Sequence, residues 1–514
     1  MIATSVAAVV GRFFITTPLW LDEALSVNIA KLPLGDIAEA LRHDGHPPLY
    51  YVMLHGWMNV FGDGTRAVRA LSAIISLIAL PLAYVVGRRL RGRHLGLMFA
   101  WVLSVSPFML RYGSETRMYS LVVVLVLVGY LAVDDALNGS GWVPLAGTAV
   151  VTSALLWTHY WSLWLLVSVG LLLVVRVVRS RRAGSLDRPA LAVMGAMAVG
   201  VVGYLPWVPS MLYQSQHTGT PWAKAARPAG ILVTSLFDFS GGPYSEPQVG
   251  ALFSAVILVI GIFGAGRADD PWRIDLDFRT RRDARPFAAI VATTLVVASI
   301  AAAVLRSGFA SRYAAVFFPF VALLVAFGLE RFVPGRLRTL MLSVFLVLTI
   351  LGLGFTFRQD RTQAGVAADL ITATKAKDPL VVTCPDQLGP AVSRALGADT
   401  EVVTYPNLGS PSRVDWVDYA KRNDASDPVA FADAVLERAG DRTIFLVYAT
   451  TYLTLPGKCE AVVGRLGQSR PGRPLLSADA ENYFESMNVL EFRGSRPCPR
   501  RRCTPRPWRG ASRR

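Results

Sequence analysis

The sequence predicts a polytopic α-helical membrane protein with a small α/β domain near its C-terminal end. Three observations carry that prediction. Of 514 residues, 53% are hydrophobic and only 17% charged, against about 25% charged in a soluble domain. Mean hydropathy is +0.42. The apolar residues also gather into long runs, where a soluble helix or strand would show a periodic stripe. Disorder, coiled coil and collagen are excluded by the same composition.

Eleven runs approach the roughly 20 apolar residues that a spanning helix needs. They lie at 2–20, 70–87, 95–110, 118–133, 142–157, 162–178, 190–207, 249–265, 287–305, 313–329 and 339–357. The first is the poorest and carries Arg12. It has neither a basic n-region nor a small-residue cleavage site, so it reads as a first spanning helix and not a signal peptide.

The net charge of +16 would suggest nucleic acid in a soluble protein. Its distribution argues otherwise. Residues 493–514 hold nine Arg and no acid in a Pro-rich stretch, which reads as a disordered basic tail. Of the connecting loops, 88–94, 176–188, 266–286 and 330–338 hold 18 Lys and Arg. The alternate loops 18–65, 111–117, 158–161, 205–247 and 306–312 hold 8 over a greater length. By the positive-inside rule the second set, and everything after about 358, faces outward. The charge is a topology signal, and no nucleic-acid partner is expected.

Three regions follow: a membrane domain over 1–357, an extracytoplasmic α/β domain over 358–492, and the tail. In the second, LVVTCPDQL, EVVTYPNL and TIFLVYATTY are short β-rich runs. They alternate with helical stretches near 362–376, 388–397 and 427–439. No internal repeat is visible, which argues against transporters built from inverted repeats. All four cysteines lie after 358. In an oxidising compartment Cys384 and Cys459 are expected to pair; the alternative is two buried free thiols. Cys498 and Cys503 lie in the tail, and their spacing does not make a zinc site.

Polar residues are scarce enough to be informative. The first outer loop begins with Asp22-Glu23, continues through amphipathic stretches at 22–30 and 34–42, and reaches His43-Asp44-Gly45-His46-Pro47-Pro48. From 49 to 61 the apolar spacing fits a helix lying on the bilayer. A second group is Arg111, Glu115, Arg117 and Tyr119, between two spanning runs. A third is His159-Tyr160-Trp161, with Arg306, Arg312 and Tyr313 after the ninth run. Each has an ordinary reading: a solvated helix end, a polar loop with snorkelling arginines, a histidine in an aromatic belt. Together they converge on one depth at the outer face. A reaction on a lipid-linked anionic substrate would require that convergence.

Trp20-Leu21-Asp22-Glu23, His46-Pro47-Pro48-Leu49-Tyr50-Tyr51, and the segment from Tyr112 to Ser120 (YGSETRMYS) resemble the GT-C glycosyltransferases. The similar branch is that of protein O-mannosyltransferases (family 39) and aminoarabinose transferases. The likeness is firm over 1–135, looser to 357 and absent beyond. High Ala, Val and Arg usage resembles that of an actinobacterial protein, where similar chains are often called mannosyltransferases. The resemblance implies a GT-C-like membrane domain that transfers a sugar, with inversion, from a polyprenyl-phosphate donor. The acceptor would be a lipoglycan, glycolipid or protein at the outer face of the cytoplasmic membrane. Asp22 matches the family's catalytic base, with Glu23 as helper holding acceptor or a basic neighbour. Arg117 and Arg312, then Arg111 and Arg12, are the implied partners of the leaving phosphate. His46, Glu115, Tyr119 and His159 are the other implied substrate-binding residues, and Tyr50 and Trp57 could flank sugar or prenyl chain. Mannose is the implied sugar; arabinofuranose and aminoarabinose are alternatives.

The family is mixed in its metal use. Asp22, Glu23, His43, Asp44 and His46 could ligate a divalent cation, but their spacing is no recognised metal motif, so no obligatory metal is expected. Two readings from other classes compete: a transporter or flippase of lipid-linked sugars, and a non-catalytic scaffold for envelope assembly. The first would need polar groups at mid-membrane depth on both sides of a path; here they cluster on one face.

Overall fold

The computed structural model describes residues 2–139, 141–220, 227–242, 248–267, 269–305 and 308–494. Arg306, Cys498 and Cys503, and nearly all of the basic tail, lie outside the described residues. Every apolar run forms helix, but not always one full span. Among the described residues five helices are long and apolar enough to cross a membrane: Thr65–Arg91, Tyr119–Leu137, Ser162–Arg182, Arg285–Val304 and Arg336–Arg358. Two bent helix pairs reach span length only together, Arg93–Val105 with Pro107–Gly113 at 58° and Arg188–Val202 with Leu205–His217 at 41°. Proline explains both breaks. Pro107, Pro206 and Pro209 lack the N–H that would continue the ladder.

Ile2–Gly11, Trp142–Thr158, Gln248–Phe263 and Phe318–Arg331 are shorter helices. The first expected span is therefore shortened, its helix ending at Gly11 with 12–20 outside any helix. Arg12, directly after the helix, turns inward and donates to the carbonyls of Ala8 and Ser104 at 3.3 and 3.1 Å. Phe318–Arg331 is buried along nearly its whole length at the bundle centre. It meets Gln248–Phe263 backbone to backbone. A Cβ on Gly328 would lie 1.9 Å from the Ile257 carbonyl, and one on Gly261 2.2 Å from that of Leu324. Small residues permit this close approach between membrane helices.

On one face of the bundle the first loop folds into three helices, Leu21–Ala30, Leu34–Asp44 and Leu49–Phe61. Over them sits the C-terminal α/β region. Its five-stranded sheet comprises β1 (Leu380–Cys384), β2 (Glu401–Thr404), β3 (Ile444–Tyr448), β4 (Gly472–Leu476) and β5 (Asn488–Phe492), in the spatial order β2-β1-β3-β5-β4. The β1 pairings to β2 and β3 are parallel, whereas β5 runs antiparallel to β3 and β4. β1 and most of β3 are buried, as their Val, Ile, Leu and Phe content requires of strands covered on both faces. Cys384 at the end of β1 is disulfide-bonded to Cys459 on the Lys458–Ser469 helix.

The region is tied to the first loop at several points. Asn28 donates to the Ser412 carbonyl at 2.7 Å, His43 meets Asp415 at 2.9 Å, and the Trp416 amide donates to the His43 carbonyl at 3.0 Å. Trp20, Leu21 and Leu25 share an apolar cluster with Val414, Trp416 and Tyr419. This docking encloses the space above the ends of the spanning helices.

Candidate active site

Asp22 and Glu23 occupy the first turn of the Leu21–Ala30 helix, where negative charge is favoured by the helix dipole. Successive helical residues point about 100° apart, so the two carboxylates face different surroundings. Asp22 looks into a cavity of about 490 Å³ between the bundle and the C-terminal region. Arg111 and Arg312 line the same cavity, with Trp20, Tyr112, Trp416, Tyr452 and Glu485.

The Arg312 guanidinium stands 3.2 Å from the Asp22 carboxylate, and the two side chains are 19% and 16% exposed. A short 3₁₀ turn, Ser311–Val316, carries Arg312. Its guanidinium lies 5.6 Å from the Trp20 ring centre and 5.9 Å from that of Tyr313, a cation–π setting that fixes its plane. Burial would lower its pKa, but Asp22 and the surrounding tyrosines hold it above the usual value, so the fork is charged. Arg111 comes from the bent span, beside Tyr112, whose hydroxyl donates to Asp238 at 2.8 Å. The cavity thus presents the Asp22 carboxylate, the Glu485 carboxyl and two guanidinium groups to whatever enters it.

A second layer lies behind. Glu23 is fully buried and accepts two bonds from Arg69, at 2.8 and 2.6 Å, and one from the Thr116 amide at 3.0 Å. Burial alone would raise its pKa; Arg69 and the Thr116 amide bring it below the usual carboxylate value. Arg117 is also buried. It donates to Ser26 at 3.1 Å, to the Tyr51 hydroxyl at 3.2 Å and to His46 Nε2 at 2.9 Å. His46 Nδ1 lies 2.9 Å from Asp44, which also accepts from Tyr51 at 3.2 Å. The tautomer with the proton on Nδ1 serves both neighbours: it donates to Asp44 and accepts from Arg117.

Glu115 accepts from the Trp20 indole at 3.2 Å and pairs with Arg361 at 3.0 Å. Burial, with the Glu23 charge nearby, keeps its pKa above the usual value against the pull of Arg361. Tyr119 stacks edge-on to Tyr112 at 5.1 Å and against His159 at 5.8 Å. His159 also packs on Tyr313 at 5.1 Å, and burial pulls its pKa well down, helped by His46, Arg117 and Arg312.

Of the residues expected at substrate, the cavity gathers Asp22, Arg111 and Arg312. Arg117, Glu115, His46, Tyr119 and His159 are not among the residues lining it. They pack behind and beneath it, Arg117, Glu115 and His46 through hydrogen bonds and ion pairs, Tyr119 and His159 through ring contacts. Tyr50 is likewise turned inward, bonded to Ser72 at 2.8 Å, and Trp57 donates to the Ala67 carbonyl at 2.7 Å. The five suggested metal ligands are dispersed: Asp22 to Arg312, Glu23 to Arg69, His43 to Asp415, and Asp44 with His46. Among the described residues no group of three or more His, Cys, Asp or Glu is placed to hold a metal ion.

Sequence reasoning missed Arg69, Arg361 and the whole contribution of the C-terminal region. Arg69 had a signal: an ionisable residue at the edge of an apolar run calls for a named partner. Arg361 and Glu485 had none, since their partners are more than 100 residues away in the chain.

This geometry sits in a known architecture. The fold resembles that of ArnT. The apo crystal structure of ArnT from Cupriavidus metallidurans matches with a TM-score of 0.60 at 12% identity, covering 95% of this chain and 97% of that one. Its form bound to undecaprenyl phosphate matches with a TM-score of 0.59 at 13% identity, with the same coverage. At such identity the likeness to ArnT is one of fold, and it agrees with the polytopic helical fold with a C-terminal α/β region that the sequence predicted. It also extends through the C-terminal region, where the sequence itself showed no resemblance. No family model and no curated protein matches the sequence.

Proposed function

We propose that this protein is an inverting glycosyltransferase that moves a sugar from a polyprenyl-phosphate donor to an acceptor hydroxyl at the outer face of the cytoplasmic membrane. The carrying observation is the Asp22–Arg312 pair at the wall of a cavity that also holds Arg111. The binding of undecaprenyl phosphate by ArnT, which shares the fold, supports a polyprenyl-phosphate donor. The Arg-rich alternate loops support the outward orientation.

The chemistry follows from the three charged groups. The acceptor oxygen attacks C1 of the donor sugar while Asp22 takes the hydroxyl proton. The bond from C1 to the phosphate oxygen breaks, and the lipid phosphate leaves with that electron pair. Arg312 and Arg111 receive its charge; a planar fork matches phosphate oxygens, and a site screened from water strengthens the pairing. One displacement inverts the anomeric carbon, and no covalent intermediate forms. Glu23 acts through Arg69 and the Thr116 amide by fixing the helix start that carries Asp22. Arg117 does the same from below, through Ser26. Mannose is the proposed sugar, and a lipoglycan, glycolipid or protein the acceptor.

The test is transfer of radiolabel from polyprenyl-phosphate mannose to envelope acceptors by the purified chain and by Asp22→Asn. Loss of transfer in a variant that still folds and inserts supports the reading. Full activity of Asp22→Asn removes Asp22 as the base. A liposome assay showing lipid translocation without sugar transfer would favour the flippase.

A further inference from the structure

The cavity has a roof as well as a floor, and the roof belongs to the C-terminal region. Glu485 ends a short strand, Tyr483–Glu485, that pairs in parallel with Asp360–Thr362 directly after the last spanning helix. The neighbouring Phe484 ring packs edge-on against Trp20 at 5.4 Å. Glu485 is thereby held at the start of the helix that bears Asp22, where the Leu21 amide and Thr362 face its carboxyl. It is 6% exposed, it lines the cavity, and its Oε2 has no hydrogen-bond partner among the described residues. An unpaired buried carboxyl oxygen is a costly feature, and it is one a ligand hydroxyl would satisfy.

Burial, with Asp22 nearby, pushes the Glu485 carboxyl up to about 8. At neutral pH it keeps its proton and can both donate and accept. The remaining roof is uncharged: Gln387, Thr451, Tyr452 and Thr454 supply amide and hydroxyl groups, and Trp416 supplies an aromatic face. The polarity of the cavity is therefore divided. The guanidinium groups of Arg111 and Arg312 suit phosphate. The roof suits neutral hydroxyls, and next to Asp22 it disfavours an anion.

We infer that Glu485 and the surrounding roof form a subsite for the hydroxyls of a neutral acceptor glycan, presenting one of them to Asp22. The inference rests on the proposed transferase reading. It adds a specificity-determining carboxyl from the C-terminal region and a charge preference for the acceptor.

A binding measurement tests it without requiring transfer. The full chain in detergent is titrated with mannotriose, and separately with a trisaccharide of uronic acids, following tryptophan fluorescence or calorimetry. Saturable mannotriose binding, at least about tenfold weaker binding of the acidic trisaccharide, and about a tenfold loss in Glu485→Ala are expected for a lost buried hydrogen bond. Glu485→Gln, whose amide also donates and accepts, should stay within about threefold of the native chain. Tyr452→Phe provides a second variant that keeps the ring if Glu485→Ala does not fold. Equal affinity of native chain, Glu485→Ala and Tyr452→Phe for mannotriose overturns the inference, as does absence of mannotriose binding. A loss confined to polyprenyl-phosphate mannose also overturns it, by placing the donor sugar under the roof. Failure of the transferase reading would appear separately, as mannotriose bound but never extended by the native chain.

Discussion

Two layers of charge lie back to back at the start of one helix. The cavity layer, Asp22 with Arg312 and Arg111, is partly exposed and sparsely bonded. The second layer, Glu23 with Arg69 and Arg117 with Asp44 and the half-buried His46, is bonded on several sides. The residue types are the same, and adjacent residues in the sequence belong to different layers. The difference is how much bonding capacity each group has left. A carboxylate with a free lone pair beside an open space can take a proton. A carboxylate holding an arginine and an amide can only hold a shape.

If that division is right, neutralising each carboxylate should fail in a different way. Asp22→Asn should lower transfer by about 10²–10⁴-fold, the range for a general base, while thermal unfolding changes little. Glu23→Gln should do the reverse in kind. It strands Arg69 in a buried site, and breaking such a pair costs about 3–5 kcal/mol. Its thermal midpoint in detergent should drop sharply. A Glu23→Gln protein as stable as the native chain but inactive would move Glu23 into the cavity layer.

The sequence was legible where function and chain proximity coincide. The helices of the first loop and the strands around Cys384 and Ile444 could be read from local pattern, because a loop of 48 residues or a strand of five carries its own periodicity, whereas Asp22 was singled out by resemblance. What could not be read is which charged residues face each other. Arg117 and Arg312 look equivalent as arginines near spanning-helix ends. One is consumed by Ser26, Tyr51 and His46, and the other faces the cavity, a distinction made by tertiary packing alone. Span length was also partly hidden. Hydropathy marks 95–110 and 190–207 as apolar, but the bends follow from prolines whose effect depends on neighbouring helices.

Arg312 sharpens the comparison from the cavity side. Arg312→Gln removes a charge that the proposal puts on the leaving phosphate, and losing one such donor costs about 10²–10³-fold in turnover. Arg312→Lys should recover part of that through its point charge without the fork. Arg117→Lys, in contrast, loses the fork that reaches Ser26 and Tyr51 from one nitrogen and His46 from the other, so its loss should appear first in thermal stability. Equal kinetic penalties with unchanged stability in both variants would erase the distinction between the layers.

The smallest effect concerns His159, at the edge between the layers. Its pKa is depressed by burial first, then by His46, Arg117 and Arg312. The unfolded chain therefore binds a proton on this residue that the folded chain refuses. With more protons bound in the unfolded state, stability rises with pH across that window. The contribution is complete above the unfolded value of about 6.5, and below it about 1.4 kcal/mol is lost per pH unit. Unfolding followed from pH 7.5 down to 5 should show this slope, and His159→Phe, which keeps a ring against Tyr119 and Tyr313, should flatten it by about one proton. An unchanged slope in His159→Phe would mean that water reaches the histidine and that the buried layer is more open than its bonding implies.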